Sequence, residues 1–217
     1  MLSNKVIKAY SDPTWLYDLR GFFILTFAYR DTLQRQVAFF SRNMRNIHGE
    51  FAVGSGTLFA IIMLWRRFRK IPPPESIILS DYVPSMLASA TLRFKNYSYI
   101  KTEVADLTKL PYPDNFFDSI NVANSLHCIH NLDAALTEIF RTLKTEGTFG
   151  SNTLLYPNGN SFMDKLALKI NVWGKKKGIL YTAYTETDIA DKIKQAGFEI
   201  ADISRCGNAC YILAKRP

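Results

Sequence analysis

The stretch Glu50–Phe59, EFAVGSGTLF, decides the fold. It reads as a short strand, a turn holding two glycines, and the start of an apolar helix. Such a turn lets the backbone approach a ligand closely, while the helix N-terminus offers unpaired N–H groups. Two spacings compete for it. The dinucleotide pattern G-x-G-x-x-G would need its third glycine at position 59, which is Phe59. The spacing acid–x–G–x–G–x–G instead fits Glu50, Ala52, Gly54 and Gly56, with alanine in place of one glycine. The turn alone does not choose between a cofactor site and a tight connection; the spacing of the acidic residues downstream of it does.

Beyond the turn the pattern alternates. A strand is predicted over 46–53, a helix over 57–70 closed by basic residues and Pro72-Pro73-Pro74, a strand over 76–80 and a helix over 84–94. Strands over 99–104 and 118–123, a helix over 132–143 and a strand over 147–155 come next. Residues 156–184 show no clear period. A helix over 186–196, with Thr185 as N-cap, then precedes two strands over 198–205 and 209–215, which the CGNA turn joins as a hairpin. This order implies an α/β, Rossmann-like, seven-stranded and mostly parallel sheet with helices on both faces and an antiparallel C-terminal hairpin. Residues 1–45 read as a helical segment rich in aromatic and basic residues, with Leu19, Phe22, Phe23, Thr26 and Phe27 recurring at helical spacing. The expected layout is one domain: a helical lid over 1–45, a core over 46–217, and a substrate-side insertion over 155–184.

Composition agrees with a globular chain of ordinary domain size: 217 residues, 47% hydrophobic and 13% aromatic. The net charge of +8 is compatible with nucleic acid, an anionic membrane surface or an anionic ligand, and selects none of them. Three cysteines are too few for a disulfide scaffold, and Cys206 and Cys210 lack the histidine or second pair of a zinc site. The first residues lack the apolar core of a signal peptide, and the longest apolar runs, 21–29 and 58–65, are too short to span a bilayer. The expectation is a cytoplasmic protein without a metal.

In a sheet of this kind ligands sit at the carboxyl ends of the strands. Asp81 ends the second strand, 25 residues after Gly56, near the roughly 20 at which an acid meets ribose hydroxyls. Asp106 comes after the third strand, where a carboxylate could accept from an exocyclic amine with Leu107 against the ring; each acid also has a reading as a cap or turn former.

Taken together, the set Glu50-x-Ala52-x-Gly54-x-Gly56, Asp81-Tyr82-x-Pro84-x-Met86-Leu87 and Ala105-Asp106-x-x-x-Leu110-Pro111-Tyr112-x-Asp114-x-x-Phe117-Asp118 resembles the class I S-adenosylmethionine-dependent methyltransferases, in their type-11, mostly small-molecule branch. The strings Ser125–Cys128 and Arg141–Gly147 continue the resemblance, which covers the chain from about Ile47 onward. It implies S-adenosylmethionine as cofactor and S-adenosylhomocysteine as product. It implies that Glu50 sits near the methionine amino group, with the turn Ala52, Val53, Gly54, Ser55 and Gly56 beneath the methionine and ribose. Asp81 would bind the ribose, Tyr82 and Met86 would flank the adenine, and Asp106 and Leu107 would take its amine and ring. Asn124 and Ser125 would border the methyl group.

Three departures stand out. Ala52 replaces a glycine, His48-Gly49 replace two apolar strand residues and so weaken the first strand, and Thr145-Glu146 replace a common proline-glycine. For a base the candidates are His127, just past the fourth strand, and Tyr17, with His130 and Tyr156 behind them. The aromatic residues of 11–29 and 156–184, among them Trp15, Tyr17, Phe22, Phe162 and Trp173, point to an apolar or aromatic small molecule as acceptor. Nucleic acid is disfavoured because NSLHCI lacks the proline pair of base-acting relatives; a peripheral membrane contact stays open. The competing readings are a non-catalytic cofactor-binding protein and, further off, a nicotinamide-dependent oxidoreductase.

Overall fold

The computed structural model describes residues 13–217, so the signal-peptide reading and the first part of the predicted lid lie outside the described residues. The elements are α1 (Thr14–Phe23), a π-helical turn (Ile24–Ala28), α2 (Leu33–Asn43), β1 (Ile47–Phe51), α3 (Thr57–Phe68), β2 (Ser76–Asp81), α4 (Pro84–Phe94) and β3 (Ile100–Val104). They continue with β4 (Phe117–Val122), a 3-10 turn (Leu126–Cys128), α5 (Leu132–Thr142), β5 (Leu143–Leu154), α6 (Phe162–Lys177), α7 (Glu186–Gln195), β6 (Glu199–Cys206) and β7 (Ala209–Lys215).

The seven strands form one sheet in the order β3-β2-β1-β4-β5-β7-β6. β1 to β5 run parallel, and β7 is antiparallel to both β5 and β6. The fold class predicted from the alternation therefore holds. β1 lies in the middle, paired to β2 on one side and β4 on the other, so the chain reverses direction across the sheet at the carboxyl ends of β1 and β4. That reversal opens a crevice there.

His48-Gly49 do not weaken β1. His48 is buried in a polar cluster, and a Cβ at Gly49 would stand 2.6 Å from the Phe51 ring and 3.2 Å from that of Phe117. Glycine at 49 is what lets those two rings pack edge to face at 5.6 Å. Thr145-Glu146 lie inside β5 at its amino-terminal half, where Glu146 takes a positive φ of 65° and pairs with Lys215. This departure is at the end of the sheet away from the crevice.

Residues 156–184, aperiodic in sequence, contain the 16-residue helix α6. Ser161 and Asp164 form a capping box at its start, and Gly178 in the left-handed conformation ends it. Its period is hidden because the inward positions are small or polar (Ala167, Asn171, Gly174), while Phe162, Leu168 and Val172 face outward. The stripe of α1 is inverted in the same way: Leu19, Phe22, Phe23 and Phe27 are exposed, Phe23 by 51%. Among the described residues, no helix is long and apolar enough to cross a membrane.

Candidate active site

Glu50, the penultimate residue of β1, is buried, and its side chain is held by a chain of hydrogen bonds. The Arg45 N–H donates to Ser119 Oγ at 2.9 Å, and Ser119 Oγ lies 2.8 Å from His48 Nδ1. With the serine hydrogen directed to Nδ1, the His48 Nε2–H donates to Glu50 Oε2 at 3.0 Å. Asn121 Nδ2 donates to the same oxygen at 3.0 Å, and the Asn121 amide is itself oriented by Asn43, which donates to its Oδ1 at 2.9 Å. Two donors on one oxygen fix the orientation of the Glu50 side chain, which lines a cavity of 220 Å³ at the head of the glycine turn.

The turn adopts backbone that few side chains tolerate. Gly54 has φ +57° and a Cβ there would meet no protein atom within 4 Å, so it would project into the crevice. Ala52 and Asn124 have φ of 54° and 53°, two non-glycine residues in the left-handed region on opposite sides of the crevice. Ala52 thus adopts left-handed backbone that a glycine takes without strain. Gly56 is different: a Cβ there would stand 2.9 Å from Ala90 Cβ, so this glycine lets α3 and α4 approach, and it lines neither crevice cavity.

Asp81 ends β2 with both oxygens anchored: the Gly54 N–H donates to Oδ2 at 2.7 Å and the Val83 N–H to Oδ1 at 2.8 Å. Burial nevertheless pushes its carboxyl above the ordinary range, and the two N–H donors offset only part of that. Asp106, past β3, accepts from the Thr108 N–H and hydroxyl at 2.8 and 2.7 Å. Asp81, Tyr82, Met86, Asp106 and Leu107 line a second cavity, of 360 Å³. His130, exposed in a bend, also borders it, edge-on to Tyr181 at 4.6 Å.

A third cavity, 120 Å³ and mostly apolar, lies under α1 and α6. His127 is in its wall. Burial drives that imidazole down to about 3, and Nδ1 faces the Leu154 N–H at 3.5 Å, which leaves the hydrogen on Nε2. A neutral ring with so low a value is a poor proton acceptor, so the structure argues against the sequence-derived assignment of His127 as base. Tyr17 and Asn124 are in the walls of all three cavities, with Ser125 shared by the first two.

Sequence reasoning missed Asp18. Its carboxylate accepts from Ser55 Oγ at 2.7 Å and Thr57 Oγ1 at 2.8 Å, tying α1 to the start of α3. It also missed Tyr29 and Asn171, which hydrogen-bond to each other beside the third cavity from elements far apart in the chain. No local motif marks such pairs.

Residues 51–150 match the family described as a methyltransferase domain. The chain is similar to the ubiquinone/menaquinone biosynthesis C-methyltransferase of Neisseria meningitidis serogroup B, 37% identical over 81 residues, which is 37% of this chain and 33% of the relative. The Rickettsia akari protein of the same name is 31% identical over 114 residues, 51% of this chain and 46% of the relative. The aligned region therefore spans less than half the length of either relative. Among solved structures, a chain of the Haloferax volcanii complex with the Trm112 methyltransferase activator superposes with a TM-score of 0.72 at 15% identity, covering all of both chains. A methyltransferase from Aquifex aeolicus gives 0.66 at 14% identity, again over all of both chains. The [4+2]-cyclase SpnF gives 0.65 at 17% identity over 84% of this chain and 81% of its own, so the fold alone does not fix the reaction.

Proposed function

We propose that the chain is a class I S-adenosylmethionine-dependent methyltransferase, a reading supported by the methyltransferase-domain match over 51–150 and by the similarity to the C-methyltransferases, and that it moves a methyl group onto an apolar, ring-containing small molecule. One observation carries the reading. The two cavities beside the glycine turn and the apolar cavity beneath α1 and α6 meet at Tyr17 and Asn124. A methyl group delivered from the first pair would enter the third at that junction.

The residues present suit the cofactor. Glu50, fixed in orientation by His48 and Asn121, suits an ammonium group, and Asp81 keeps lone pairs for two ribose hydroxyls. The space above Gly54 is of the kind a cofactor fills. Leu107 and Met86 offer apolar faces to a purine, with Asp106 as acceptor for its amine. S-adenosylmethionine, when bound, supplies an electrophilic methyl on a sulfonium. Transfer is a direct displacement, so this chain contributes alignment and exclusion of water. α1 and α6 act as the lid in this account, and Tyr17, at the junction, is the residue we assign to orient the acceptor. The names of the Neisseria and Rickettsia relatives support a quinone-like ring as acceptor.

The test is release of S-adenosylhomocysteine from the purified chain given S-adenosylmethionine and a panel of hydroxylated and quinone-type aromatics. Turnover with at least one member is expected. Cofactor binding without turnover on any would move the assignment to a non-catalytic binder.

The outer face of the lid supports a peripheral membrane contact. Trp15, Leu19, Phe22, Phe23 and Phe27 form one exposed stripe on α1 and the turn after it. Phe162, 75% exposed, and Val172 continue the apolar surface on α6 beside Lys165, Lys169, Lys176 and Lys177. The acids of these two helices, Asp18 and Asp164, are turned inward to partners. An apolar and cationic face suits an anionic bilayer, whereas a second copy of the same face would meet its own charge. Phe22 and Trp173 belong both to this face and to cavity walls, which gives an apolar acceptor a continuous route inward.

A further inference from the structure

Asn124, in the walls of all three cavities, is the half-buried end of a hydrogen-bonded chain whose other members, Asn152, Gln36 and Asp31, are buried. The direction of that chain follows from its two ends. A backbone N–H can only donate, so the Asn152 atom 2.7 Å from the Asn124 N–H is Oδ1. Asn152 Nδ2 then donates to Asn124 Oδ1 at 2.7 Å, and Asn124 Nδ2 donates to Gln36 Oε1 at 2.8 Å. Gln36 Nε2 is left to donate to Asp31 Oδ2 at 3.0 Å, and a carboxylate is the acceptor it needs. None of the three amides can be turned over without opposing like groups. Asp31 also accepts from the Tyr211 hydroxyl at 2.7 Å and the Thr32 N–H at 2.8 Å. Burial pushes its carboxyl above the ordinary value, while these donors and the Arg35 guanidinium pull it back. Aligned amides polarise one another, so the negative charge of Asp31 is passed along the chain to Asn124. No cation in the adjoining walls offsets it: among the described residues, the first and second cavities are lined by neither lysine nor arginine. Arg35 lies over the Tyr211 ring and donates to Ser204, and Arg20 borders the third cavity instead.

We propose that Asp31, acting through Gln36 and Asn124, is a positioning residue that makes the crevice favour the cationic methyl donor over its neutral product. S-adenosylmethionine and S-adenosylhomocysteine differ by one methyl group and one positive charge, both at sulfur. Negative potential delivered to Asn124 therefore stabilises the donor and is nearly indifferent to the product. The same chain fixes the place from which it acts. Asn124 holds a left-handed φ of 53°, and its N–H and side-chain oxygen are both fastened by Asn152 on β5. Gln36 on α2 fastens the remaining amide nitrogen. The inference rests on the proposed function placing the sulfonium at the junction beside Asn124, and its test reads binding without turnover.

The experiment titrates the full chain, Asp31→Asn and Gln36→Met with S-adenosylmethionine and, separately, with S-adenosylhomocysteine by calorimetry. The readout is the ratio of the two affinities, which a merely structural role would not move, because misfolding weakens both ligands alike. Asp31→Asn should lower S-adenosylmethionine affinity about tenfold relative to S-adenosylhomocysteine, the scale of one charge acting across a partly buried site. Gln36→Met keeps the carboxylate and cuts its link to Asn124, so the ratio should move the same way by a smaller factor. S-adenosylhomocysteine binding reports an intact site in each variant; should one variant fail to fold, the other decides alone. An unchanged ratio, an equal loss of both ligands, or a ratio that moves in only one of two folded variants would each overturn the proposal. An unaltered chain that binds neither ligand would remove the cofactor reading itself and this proposal with it. A chain that binds both while its variants keep the ratio would count against Asp31 alone.

Discussion

The cradle at the head of β1 and the lid above it obey different rules. In the cradle two acids stand at strand ends, and each is held by backbone or by buried side chains: Glu50 by His48 and Asn121, Asp81 by Gly54 and Val83. The outer segment consists of helices that leave much of their apolar surface exposed, while their fully buried positions on α6 are small or polar. One region is built by burial. The other leaves apolar surface unburied and is joined to the cradle through a few side chains, Asp18 on Ser55 and Thr57 chief among them. Rigid recognition and adaptable recognition are thereby placed on separate parts of the chain.

The comparison breaks most readily at Asp81. Asp81→Ala removes a carboxylate with two anchoring bonds, and S-adenosylhomocysteine affinity should fall about 100-fold, as expected for charged hydrogen bonds of about 1.5–3 kcal/mol each. Its pH dependence is directional. Because burial raises this carboxyl, protonation begins above the ordinary value of about 3.9, so affinity should weaken as pH falls through that raised value. Asp81→Asn should flatten the profile; a wild-type profile already flat down to the ordinary carboxylate range would remove Asp81 from the site.

A smaller effect is expected one layer back. His48→Leu leaves Glu50 with Asn121 as its remaining donor, and affinity for the same ligand should drop about tenfold, with a lower melting temperature. An affinity loss without any stability loss would mean that the ring acts on the ligand and not on Glu50.

The lid face is sharpened by vesicles. Binding to phosphatidylglycerol-containing vesicles should exceed binding to neutral ones and fall with salt. Lys176→Glu with Lys177→Glu should weaken it by at least fivefold, on the order of 1 kcal/mol per cation. Phe23→Ser with Phe27→Ser should weaken it too, while Arg67→Glu on α3 should not. Equal binding by all variants would count against this face.

The smallest expected change lies outside both regions. Arg141 holds Glu138 at 2.8 Å and the carbonyls of Leu110 and Tyr112, closing the loop after Asp106. The bond to Arg141 keeps the Glu138 carboxyl below its ordinary value. A lowered carboxyl contributes stability above its unfolded pKa and loses it as pH falls through the folded one. Arg141→Gln should therefore cost up to about 1 kcal/mol at neutral pH in urea unfolding, with the two curves converging below about pH 4.

Legibility in the sequence divides along the same line. The strand–turn–helix order, the acids at strand ends and the sheet class were readable because each depends on near neighbours: the turn at Gly54, Asp81 after IILS, Asp106 after its strand. The packing reason for Gly56 was not legible, since the approach of α3 to Ala90 that requires it involves a residue 34 positions away. His48 looked like a defect because Ser119 and Asn121, its partners, arrive only when β4 pairs with β1. α6 was invisible because a helix lining a cavity with Asn171 and Gly174 does not carry the apolar period of a core helix. Tyr29 and Asn171 are 142 positions apart and meet only in the fold.

The central claim is that the crevice between β1 and β4 is a site for S-adenosylmethionine. Calorimetric titration of the full chain with S-adenosylhomocysteine and, separately, with NAD tests it most directly. The account predicts micromolar binding of S-adenosylhomocysteine at one site per chain and no heat with NAD; binding of NAD alone, or of neither, would contradict it.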